Sequence, residues 1–134
     1  MSGFSNHLAQ QVINHFIRGI AQPATVNTYI ALHIADPTDA NITTTEISAA
    51  WYARQQVTSW TAPAEAGDYT FTSNTNDVAF PVVAGGAVTA THYGIYDAET
   101  KGNLLSSGPL PVSKVLNVDD VPTLKAGEGV LKFK

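Results

Sequence analysis

Val88-Thr-Ala-Thr-His-Tyr-Gly-Ile-Tyr96 alternates along its length, with Val88, Ala90 and His92 on one side and Thr89, Thr91 and Tyr93 on the other. Successive side chains of a strand point to opposite faces, so a period of two predicts a β-strand with one face on a core. The run ends at Asp97, and Lys101-Gly102 stands just ahead of Leu104-Leu105. Asp97-Ala-Glu99 therefore reads as part of a hairpin turn.

The same pattern extends in both directions. Upstream, Tyr29–Ile34 is a short apolar run rich in strand formers, ended by Asp36-Pro37. Tyr52–Trp60 alternates loosely and reads as a second strand. Asp68–Thr72 and Val78–Phe80 follow, parted by the turn residues 73–77, and Gly85-Gly86 marks a tight turn. Downstream, Val112–Val118 and Val130–Phe133 close the chain. About seven to nine short strands with frequent turn signals predict a mainly β protein, one jelly-roll-like β sandwich over residues 28–134.

The first 20 residues have a different period. Ser5 is a good N-cap, and Leu8, Val12, Phe16 and Ile20 step by four with Ile13 and Ile17 beside them. This predicts one N-terminal amphipathic helix over residues 5–20, loosened at Gly19 and stopped before Pro23. Its apolar stripe is expected to dock on the protein's own β core.

Composition narrows the class. The 134 residues suit a single domain, 1–134, and 44% of them are apolar, enough for a real core. Only 13% are charged, about half the usual share for a soluble protein. A surface of Thr, Ser, Asn and Ala suits a protein packed against neighbours, because burying an unpaired charge costs far more than burying a hydroxyl. The net charge of −4 lacks the basic footprint of a nucleic-acid binder. Residues 1–100 hold only Arg18 and Arg54 against eight acids, while all five lysines lie from Lys101 onward. Cysteine is absent, which excludes disulfides, zinc-thiolate sites and thiol nucleophiles. No secretory signal or membrane-length apolar run is legible, so a soluble chain made in a cytoplasm is expected.

Chemistry-bearing residues do not form a recognisable set. His7 and His15 lie about 80° apart around an ideal helix and make poor partners for one metal ion. His33 and His92 fall in predicted strands and are candidate cross-strand neighbours. Asp36, Asp39 and Glu46 share one loop but lack the ligand spacing and glycine of a calcium loop. Asp119-Asp120, adjacent in an extended segment, point to opposite sides and make no glycosidase pair by themselves. There is no G-x-S-x-G, and Gly127-Glu-Gly129 has no following helix to form a phosphate loop. The aromatic residues Trp51, Tyr52, Trp60, Tyr69, Phe71, Tyr93 and Tyr96 offer either a carbohydrate platform or core and interface packing. The expectation is a non-enzymatic protein with no cofactor, no metal and no small-molecule substrate, binding neither nucleic acid nor membrane.

Several segments together resemble a known family. Tyr29-Ile-Ala-Leu-His-Ile-Ala-Asp-Pro37, Tyr52-Ala-Arg-Gln-Gln-Val57, His92-Tyr-Gly-Ile-Tyr-Asp-Ala98 and Gly102-Asn-Leu-Leu-Ser-Ser-Gly108 are similar, in the same order, to small tailed-bacteriophage virion proteins. The likeness runs from about Phe4 to Phe133; Ile34 and Tyr93 depart from the commonest forms without touching a functional role. The resemblance implies a structural virion protein. Members are often labelled tail-fibre proteins, and proteins of this size and shape also serve as capsid cement. Low charge, a compact β domain and the lack of a fibrous repeat or coiled coil lean toward cement, a decoration protein on the capsid surface that binds the major capsid protein and copies of itself as a dimer or trimer. The alternative is a tail-fibre or receptor-binding component. Expected partner contacts are Met1, Ser2, Gly3, Phe4, Asp36, Asp39, Lys114 and Lys132, with edge strands at Val112–Val118 and Val130–Phe133.

Overall fold

The computed structural model describes residues 3–25 and 27–133; Met1 and Ser2, two of the expected contact residues, lie outside them. The centre is a five-stranded antiparallel sheet in the order β1 (Gly3–Phe4), β8 (Leu104–Leu116), β7 (Val88–Tyr96), β2 (Thr28–His33), β3 (Gln55–Val57). The alternating stretch that opened the reading is its central strand, with the predicted bounds. A three-stranded sheet, β10 (Val130–Phe133), β5 (Tyr69–Ser73), β4 (Ala64–Ala66), and a strand pair, β6 (Val78–Ala79) with β9 (Thr123–Leu124), complete the strands.

The central sheet is buried on both faces. Ile30, Leu32, Tyr93, Ile95 and Leu105 share one core with Val78, Phe80, Val83 and Leu124. Ala31, Tyr96 and Leu104 form a second, smaller cluster. Glycine at 94 is set by this second layer. An added Cβ would stand 2.8 Å from Tyr96 Cε1 and 3.0 Å from His33 Nε2. The β7–β8 hairpin closes as expected: Asp97 accepts from the Asn103 amide at 2.7 Å, and Lys101 and Gly102 take left-handed backbone.

Three expectations need correction. The strand read over Tyr52–Trp60 contracts to Gln55–Val57, because Tyr52 and Arg54 turn inward to bind Glu46. Leu104-Leu105 and Val112–Val118 are not separate strands; β8 runs unbroken to Leu116. Gly108 and Pro109 stay in register opposite Tyr93 and His92, and the bulge that follows sets residues 110–113 against Thr91 alone, where Pro111 is tolerated because no ladder N–H is needed. The helix is also shorter than 5–20. Helix α1 covers Asn6–Val12, then widens into a π turn over Ile13–Ile17 and ends by Gly19, which takes φ +68.

Candidate functional site: an outward apolar ridge and a groove

The start of α1 is tied down firmly. Ser5 caps it, accepting from the Leu8 amide at 3.1 Å while its own hydroxyl donates to the Leu104 carbonyl. The Ser5 amide donates to the Leu105 carbonyl and the Asn6 amide to the Asp39 carbonyl, at 2.9 and 2.8 Å. Leu8 packs on the main core.

From there the helix leaves the protein. The expectation that its whole stripe docks on the β core fails beyond Leu8 and the half-buried Val12. Phe16 is 75% exposed and Ile17 79%, with Ile13 and Ile20 also exposed. The physical reason lies in the termination: the Arg18 amide donates to the Ile13 carbonyl and the Ile20 amide to the Asn14 carbonyl, a wide turn that carries the last residues off the α spacing. Ile13, Phe16 and Ile17 on this turn, with Ile20 just past its end, form an apolar ridge. Arg18 stands beside it, bonded only to the Asn14 side chain at 3.0 Å among the described residues.

Beside the ridge lies a groove of about 710 Å³. The root of the helix (Ala9, Val12, Ile13) forms one wall. Phe4 and Phe133, ring centroids 4.7 Å apart and edge to face, belong to the lining with Tyr69. Asp39, Asp68 and Lys132 supply the charge, and the Lys132 ammonium sits 4.7 Å from the centroid of the Tyr69 ring. Of the expected contacts, Gly3, Phe4, Asp39 and Lys132 meet here, because β1 and β10 bring the two ends of the chain together. Asp36 does not line the groove; its carboxylate accepts from the Thr38 amide at 2.8 Å. Lys114 lies elsewhere, donating to the Thr123 carbonyl at 3.0 Å with Glu128 at 3.5 Å. Tyr69 is among the aromatic candidates, whereas Phe133 reads only as the end of an edge strand; a surface aromatic ring carries no sequence signal that separates it from a core one.

The densest titratable cluster faces inward. His33 and His92 are indeed cross-strand neighbours, and His33 is fully buried. Its Nδ1 meets Thr45 Oγ1 at 2.8 Å and its Nε2 meets the Tyr96 hydroxyl at 3.2 Å. Burial lowers its pKa to about 4, so the ring is neutral at pH 7. Arg54 grips Glu46 with two bonds of 2.9 and 2.8 Å and lies 3.7 Å over the Tyr96 ring. Burial alone would raise the Glu46 pKa, yet the bonds from Arg54 and Tyr52 hold it below the ordinary carboxylate range. The same burial pushes the Tyr96 hydroxyl up to about 12. Every polar group in this cluster is used by another, which makes it a fastener between the Asp36–Glu46 loop and the sheet. Among the described residues no group of three His, Asp or Glu side chains is placed to hold a metal ion.

The β scaffold thus packs His33, Glu46 and Arg54 into one bonded cluster and carries an apolar ridge in the open, the kind of exposed patch that marks an interaction surface. Residues 3–132 match the family model Gp80, described as podophage GP4 fiber I protein gp80. The chain belongs to that family and is a phage virion structural protein of fibre type. No curated protein matches it.

Proposed function

We propose that this chain is a non-enzymatic subunit of the phage fibre, incorporated into the virion through the apolar ridge of α1. The observation that carries the reading is the exposure of Phe16 and Ile17. An isolated protein gains nothing from holding such side chains in water, whereas covering them on assembly contributes on the order of 1.5–3 kcal/mol each. The family description supports the fibre as the place of assembly. Synthesis in the host cytoplasm and delivery to the virion go with this reading.

A second reading is a cement protein on the capsid surface, bound to the major capsid protein. The lack of a fibrous repeat and the layered, mainly antiparallel β unit favour it. Negative-stain microscopy of virions carrying a gold-labelled tag on this chain separates the two. Label confined to fibres is the expected result; label spread over the head would reject the fibre in favour of cement.

A further inference from the structure

The ridge and the groove complement each other. The ridge presents Phe16 and Ile17 with the exposed cation Arg18 one residue further on, in no ion pair among the described residues. The groove offers the rings of Phe4, Tyr69 and Phe133, with Asp39, Asp68 and Lys132 in its lining, two acids against one cation. Arg18 is the sole Lys or Arg of the first 53 residues, so the ridge has one cation and no acid nearby in sequence. A knob of two apolar side chains plus a cation fits an apolar groove with an acid in its wall.

We propose that the groove takes a second copy of this chain, with Phe16 and Ile17 of one copy seated among Phe4, Tyr69 and Phe133 of the next and Arg18 meeting its neighbour's Asp39. This deepens the preceding reading, since it rests on the ridge being covered in an assembly and names what covers it. The contact joins two different surfaces, so the symmetry of the assembly must bring a ridge and a groove together at each joint. The charge pair sets the register of the contact, and the aromatic seat supplies its strength.

Sedimentation velocity on the purified chain over a wide concentration range tests this. The wild type is expected to associate, Phe16→Ser to sediment as a monomer, and Arg18→Glu to weaken association on the order of tenfold. The double variant Arg18→Glu with Asp39→Arg reverses the pair and is expected to recover association. Thermal melts of all variants should stay near wild type, because Phe16 and Arg18 are exposed and Asp39 is only half-buried. A monomeric wild type, an oligomer indifferent to Phe16→Ser, or no recovery in the charge-reversed double variant overturns the proposal. The measurement needs no virion, so a failure here leaves the gold-label result standing, and a label on the head leaves self-association standing.

Discussion

Gly94 shows how one residue ties the central strand to the layer above it. Tyr96, His33 and Leu104 all come within 3.1 Å of where a Cβ would be. Gly94→Ala is expected to cost about 1–3 kcal/mol through overpacking, read as a lower urea midpoint at unchanged slope. His33 makes stability depend on pH. Its folded pKa of about 4 lies below the ordinary 6.5, so the unfolded chain binds more protons between those values. Stability contributed by the neutral ring is present above pH 6.5 and lost as pH falls toward 4. Integrated over that shift, roughly 3 kcal/mol should vanish across the window. Glu46, held below its ordinary range, adds a loss of the same sign at lower pH. Urea unfolding at steps from pH 7 to 4 checks this; a flat profile in wild type contradicts it, and His33→Gln should flatten the upper part of the slope. The sequence showed His33 and His92 as candidates for adjacency because both fall in strands. It did not show the partners, since Thr45, Glu46 and Arg54 reach His33's neighbourhood only when the 34–54 segment folds back over the sheet.

Among the elements, α1 separates what periodicity can reveal from what it cannot. The four-residue step correctly puts Leu8 and Val12 on one helix, and Ser5 caps it as read, while Phe16 falls in the wide turn beyond it. Periodicity reports which side chains share a face. It carries no information on whether anything lies against that face. Leu8 touches the core and Phe16 does not. Leu8→Ala should therefore destabilise the isolated protein by about 2 kcal/mol or more, while Phe16→Asp should melt near wild type. Calorimetry on both variants decides it, and a large drop for Phe16→Asp would place the ridge in the core after all. The strands follow the same logic. β7 and β10 appear with their read bounds because alternation and turn residues are local signals. β1, β4 and β9 are two or three residues long and exist only through their partners, so no local pattern announces them. Of the two prolines in β8, Pro111 falls in the bulge and Pro109 stands in register just before it.

At the scale of the whole molecule, the candidate groove was half legible. Gly3, Phe4, Asp39 and Lys132 were each picked out, from three separate stretches of chain, but their convergence requires β1 and β10 to meet across more than 100 residues. Under the proposed function, the inward polar cluster holds the body of the protein together and the outward ridge is its docking element. The central claim is that this chain is a fibre subunit whose apolar ridge is covered in the assembled particle. A cryo-electron microscopy map of the intact virion, at a resolution that traces side chains, tests it most directly. This fold is expected within the fibres, with Phe16 and Ile17 buried against a neighbouring chain in every copy. Finding the fold on the head lattice instead, or finding the ridge bare to solvent in the fibre, would contradict it.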